Sequence, residues 1–124
     1  MAIENHLEQT KNHASRLEEA FRELGHKPEQ ATCKAMKGLI EEGVEVVQKA
    51  EKCAARDAGI IGAAQRVEHY EIAAYGTAQT HASVLGYNRI GELLKETLGE
   101  EKEANSKLNQ IAEGSVNFEA NQEI

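Results

Sequence analysis

The sequence predicts an all-α fold, an antiparallel bundle of long helices, and three observations carry that prediction. Of its 124 residues only three tyrosines and two phenylalanines are aromatic and none is tryptophan, so Ala, Leu, Ile and Val must build the core. That palette suits packed helices better than layered strands. No stretch alternates apolar and polar residues at period two. Four segments instead repeat apolar residues at steps of three and four, with glycine or proline at their joints, and links this short join antiparallel neighbours.

The first helix is predicted over 2–24, where Ile3, Leu7, Thr10, Ala14, Leu17, Phe21 and Leu24 make a narrow apolar seam. Gly25 followed by Pro28 reads as a stop and restart, with the proline in the first turn of a second helix over 29–52. Met36, Leu39, Ile40, Val44, Val47, Ala50 and Ala54 form its apolar face, opposite Glu41, Glu42, Glu45 and Lys49. Asp57 is the expected cap of a third helix over 57–85, whose inner side is Ile61, Ala64, Ile72, Tyr75, Ala78 and Ala82. Gly86 ends it, and Asn88 opens a fourth helix over 88–112 with Ile90, Leu93, Leu94, Thr97, Leu108, Ile111 and Ala112 on its seam. One domain over 1–114 follows, with 115–124 expected to trail along the surface.

Composition narrows the function classes. The 14 basic and 21 acidic residues give a net charge of −7, which argues against a nucleic-acid partner. The apolar stretch over 58–64 falls far short of the roughly 20 residues that cross a bilayer, and the start lacks the basic flank and apolar run of a secretory signal. A cytoplasmic protein without a membrane partner is expected. Cys33 and Cys53 stand 20 positions apart, about 30 Å along one helix, so both read as reduced thiols. Neither has a base at helical spacing, and no zinc-site spacing is present.

The chemistry lies in acids on the wrong side. Projection at 100° per residue puts Glu68 on the apolar face of the third helix, with Glu71 one turn later. Glu101 falls between Thr97 and Leu108 on the fourth, with Asn105 at its margin. Burying such carboxylates unpartnered costs several kcal/mol each, so they require a cation, a shared proton, or a hydrogen-bonded Arg or Lys. On the first helix Thr10 and His13 point inward, with His6 at the seam's edge, and His13 is the best nitrogen ligand. Carboxylates with one imidazole suit iron or manganese. The alternative is a metal-free scaffold, in which Arg66, Lys102 or a partner chain pairs with the acids. Tyr75, one turn from Glu71, is placed to donate a hydrogen bond to it. His26, His69 and His81 fall outside the stripe.

The run Arg66-Val67-Glu68-His69-Tyr70-Glu71-Ile72-Ala73-Ala74-Tyr75-Gly76-Thr77 resembles the YciE/YciF family of bacterial ferritin-like proteins. So do His6-Leu7-Glu8-Gln9-Thr10 before it, Leu94 to Lys102 after it, Gly38 to Gly43, and the ending Ala112 to Ala120. The resemblance implies a ferritin-like bundle of dimeric habit, a di-iron carboxylate centre at Glu68, Glu71, Glu101 and His13, a link to stress responses and no defined activity. Thr10 stands where the first Glu-x-x-His element of such centres has Glu, and Ala104 where the second has His. The resemblance also implies a further helix ahead of the His6 segment, and the expectation is a short form of the bundle without it. An incomplete site and a homodimer that covers the open groove are the resulting expectations.

Overall fold

The structure, a computed structural model, describes residues 2–123, and no strand occurs among them. Four long helices follow in order, α1 (Ala2–Leu24), α2 (Lys34–Lys49), α3 (Ala54–Val84) and α4 (Asn88–Ile111). A π-helical turn over Ala112–Val116 then leads into a short α5 (Asn117–Gln122), so the stretch expected to trail as a tail is helical.

The chain divides into two packed units. Among the described residues, one combines 2–31 with 71–104 and the other 32–70 with 105–123, so that α3 and α4 each contribute to both. In the first unit Ala20, Ala82, Ile90, Leu93 and Leu94 form the core, with Tyr75 and Ala78 packed on it. In the second, Ile61, Leu108 and Ala112 do so, joined by Ala64 and Val116. There α2 lies close on α3: a Cβ added at Gly59 would stand 2.9 Å from Val46 Cγ1, and one at Gly43 would stand 3.6 Å from Ala63.

Glycine ends α1 and α3 as the sequence predicts. Gly25 (φ 72°) and Gly86 (φ 76°) adopt the left-handed conformation, and the amides of His26 and Tyr87 bond back to the carbonyls of Phe21 and Ala82, both at 3.0 Å or less. The starts differ from expectation. Residues 26–32 are irregular, so Pro28 does not open α2, and Asp57 lies inside α3 rather than capping it. Thiols do both jobs: Cys33 Sγ accepts the Met36 amide and Cys53 Sγ accepts the Arg56 amide, each at 3.4 Å. The amides of Ala54 and Ala55 find the two Glu123 carboxylate oxygens at 3.1 and 3.2 Å. Such a cap comes from the far end of the chain and leaves no local pattern. Both cysteines are free thiols, and the Tyr70 hydroxyl, 3.1 Å from exposed Cys33, holds that thiol below its usual pKa.

The largest correction concerns which face turns inward. On α1 the buried residues are His13 and Ala20, with Ala2, His6, Gln9, Arg16, Glu19 and Phe21 half-buried. The aliphatic seam faces out instead, with Ile3 59% and Leu7 55% exposed and Leu17 and Leu24 also open. On α2 the inner side is Met36, Leu39, Gly43, Val46 and Ala50, while Ile40, Val44 and Val47 are exposed. Both faces are rotated from the seams that periodicity selects. α3 keeps its predicted side, and so does α4 except at Ile111, which is exposed.

Candidate metal centre

The inward face of α1 and one stretch of α4 bring the polar residues of the first unit together. Glu101 is fully buried, as the seam position between Thr97 and Leu108 requires, and His13 is nearly so. His13 Nδ1 lies 2.7 Å from Glu101 Oε1, and His13 Nε2 lies 2.7 Å from Glu100 Oε2. Both nitrogens therefore lie beside carboxylate oxygens, a hydrogen bond at Glu100 and a close contact at Glu101, surroundings that favour the protonated ring. Burial alone would lower the His13 pKa, but the Glu101 and Glu100 carboxylates, as acceptors and as negative charges, hold it above the ordinary value.

His6 approaches the same acid from one side. Its Nδ1 donates to Gln9 Oε1 at 3.2 Å, and its Nε2 stands 3.6 Å from Glu101 Oε2. A histidine whose outer nitrogen is tied to an oxygen acceptor, leaving the inner one aimed at a carboxylate, has the tautomer and orientation of a metal ligand. The His6 and His13 rings stand edge to face with centroids 6.2 Å apart, and the Tyr75 ring meets His13 in the same way at 6.3 Å.

From α3 comes Glu71, near enough to Glu101 to feel its charge. Burial first, then the charge of Glu101, push its pKa up to about 7, so near neutrality the two carboxyls share a proton. Burial first, then the charges of Glu71 and Glu101, raise the Tyr75 hydroxyl to about 12 and keep it a donor. Glu68 is buried three residues before Glu71 on the unbroken helix, which puts it on the same face.

Arg16 closes the arrangement. Its Nη1 and Nη2 reach the Glu100 oxygens at 2.9 and 2.8 Å, Nη2 also reaches Glu96 at 2.9 Å, and Nη1 reaches Thr97 Oγ1 at 3.2 Å. This fork holds the Glu100 carboxyl below the usual range.

Of the residues singled out in the sequence, Glu71, Glu101 and His13 meet here and Glu68 is buried as expected. Thr10 is exposed, its hydroxyl bonded to the His6 carbonyl at 2.9 Å. Arg66 and Lys102, the expected salt-bridge partners, are exposed as well. The basic groups that meet the acids are His13, Arg16 and His6, all from α1. Arg16 and Glu100 escaped the sequence reading, and His6 was placed only at the seam's edge, because the periodicity assigns the inner face of α1 to its aliphatic seam. The i, i+3 recurrence of His13 and Arg16, matched by Glu96 and Glu100 on α4, was the available signal.

This fold and cluster define a class: all-helical bundle proteins carrying buried carboxylates and imidazoles between helices. The chain belongs to the family described as a domain of unknown function, DUF892, whose model matches residues 1–121. It is similar to protein YciF of Escherichia coli strain K12, with 48% identity over 120 residues, 96% of this chain and 72% of that one. Among solved structures it is similar to the E. coli stress protein YciF, with a TM-score of 0.88 and 47% identity over 94% of this chain and 74% of the other. A second match is YcfI, a protein of Rhodopseudomonas palustris described as putative structural, with a TM-score of 0.83, 44% identity, and 87% and 69% coverage. The helical-bundle fold is thereby the fold of YciF. Among the described residues no helix is long and apolar enough to cross a membrane.

Proposed function

We propose that this YciF-like protein binds an iron or manganese ion, with His6, Glu71 and Glu101 as ligands, His13 beside them as the partner that holds Glu101, and Glu68 as the further acid that the ferritin-like resemblance implies. The observation that carries the reading is the Glu71–Glu101 pair, a half-buried and a fully buried carboxyl, in which burial and the charge of Glu101 push the Glu71 pKa up to about 7 and keep it about half protonated at neutral pH. A divalent cation in place of that proton would relieve the repulsion, and oxygen donors with one imidazole are the set that iron and manganese accept. Three inward carboxylates suit one ion better than the di-iron centre implied by the ferritin-like resemblance, which draws on four Glu and two His. A bound iron or manganese ion would supply one-electron chemistry toward peroxide or dioxygen. The chain's own contribution is to exclude water from Glu101, orient His6 through Gln9, and keep the Tyr75 hydroxyl protonated.

A metal-free structural role is the second reading, favoured by one observation: Arg16, and His13 in its protonated form, already bring positive charge to Glu100 and Glu101. Anaerobic Fe(II) titration of the wild type and of Glu101→Gln separates the two. Binding near one ion per chain, lost in the variant, supports the metal centre. No uptake by the wild type leaves the structural role.

The same reading includes a homodimer. The outward aliphatic stripe of α1, Ile3, Leu7, Leu17 and Leu24, is a surface that a second copy would cover.

A further inference from the structure

We infer that Arg16 is a positioning residue that divides two adjacent acids between two tasks, withholding Glu100 from the cation site and, through His13, fixing Glu101 within it. The inference deepens the metal-binding reading and rests on it for the word site, but its geometry stands in the chain's own side chains.

Glu100 and Glu101 are neighbours on α4 and chemically identical. Their partners differ. Both oxygens of Glu100 are consumed by Arg16, at 2.9 and 2.8 Å, and Oε2 also accepts from His13 Nε2 at 2.7 Å. The guanidinium is itself anchored to one turn of α4 through Glu96 and Thr97, so its fork cannot swing away without breaking several bonds at once. Held this way, Glu100 fixes the plane of the His13 ring. The far nitrogen of that ring then meets Glu101 Oε1 at 2.7 Å.

The order of contacts is a relay of position: Arg16 to Glu100, Glu100 to His13, His13 to Glu101. Lysine would keep the charge of Arg16 but not the planar fork that grips both Glu100 oxygens. Without the fork Glu100 is free to rotate, the His13 ring loses its outer anchor, and Glu101 loses the contact that sets its orientation. Losses of this kind behind a ligand weaken metal binding by roughly 10- to 100-fold.

The test measures Mn(II) binding by loss of the free-ion paramagnetic resonance signal, in wild type, Arg16→Gln, Arg16→Lys, Glu100→Gln and the Arg16→Gln/Glu100→Gln double variant. Arg16→Gln should weaken binding by roughly 10- to 100-fold, and Arg16→Lys should recover only part of the loss. Since Arg16 acts through Glu100, adding Arg16→Gln to Glu100→Gln should cost almost nothing further. Wild-type affinity in Arg16→Gln, or its full loss repeated on the Glu100→Gln background, overturns the proposal. A second readout needs no metal: the His13 ring nitrogen resonances of the apo protein should shift in Arg16→Gln and in Glu100→Gln, with helical circular dichroism unchanged. If wild type binds no Mn(II), the functional reading fails while this readout still decides the relay, and an unshifted His13 ring sinks it. If Arg16→Gln does not fold, Arg16→Lys carries both measurements.

Discussion

Replacing Glu71 with Gln in the metal-free protein isolates the cost of holding a second carboxyl beside Glu101. Burial and the charge of Glu101 lift the Glu71 pKa from 4.5 to about 7. Between those values the folded chain keeps a proton on Glu71 that the unfolded chain has released. Stability from this group is therefore fully present below pH 4.5 and is lost as pH rises through 7. At about 1.4 kcal/mol per pH unit, the difference is worth at most about 3 kcal/mol. Gln is neutral at every pH and still offers an amide donor to Glu101. Glu71→Gln should therefore equal wild type near pH 4 and exceed it by up to about 3 kcal/mol near pH 8. His13, whose pKa is also raised, adds stability that is complete below its usual 6.5 and fades as pH climbs through its folded value. Both proteins share that contribution, so it drops out of the difference. Urea unfolding followed by helical circular dichroism, with chelator present, reads the gap as a midpoint displaced by about 1 to 2 M. A gap that does not change with pH, or a variant weaker than wild type near pH 8, would refute the reasoning.

The remaining predictions concern packing, caps and association. Gly59→Ala forces a methyl against Val46 and should destabilise by about 1 to 2 kcal/mol, whereas Gly62→Ala meets nothing within 4 Å and should gain up to about 1 kcal/mol from helix propensity. Thermal unfolding of the pair checks both signs, and a gain at Gly59 would show that α2 yields there. Cys53→Ser replaces a sulfur acceptor with a preferred N-cap oxygen and should raise stability by about 0.5 to 1 kcal/mol, checked by urea midpoint. Leu7→Glu combined with Leu17→Glu should halve the mass measured by light scattering without loss of helicity; a wild type already of single-chain mass removes the dimer.

Helix existence was legible because it depends on local spacing. The left-handed glycines at 25 and 86, the inner side of α3, and the burial of Glu68 and Glu101 all followed from local spacing, since the stripe it selects on α3 and α4 is the side that is covered. Local spacing also placed His13 on an inward face. It could not supply the caps at Cys33 and Cys53, because a thiol is an uncommon acceptor there, nor the Glu123 carboxylate, which arrives from the other end of the chain.

By itself, then, the sequence determined the helices, their class of fold and the inward carboxylates. Only the tertiary structure decided which side of α1 meets them. The reason is physical: α1 offers two candidate faces, an aliphatic one and one carrying His6, His13 and Arg16, and hydrophobicity alone ranks the first higher. Facing the buried acids of α3 and α4, the second gains charge-assisted bonds that an aliphatic face could not make, and the aliphatic stripe is left turned outward.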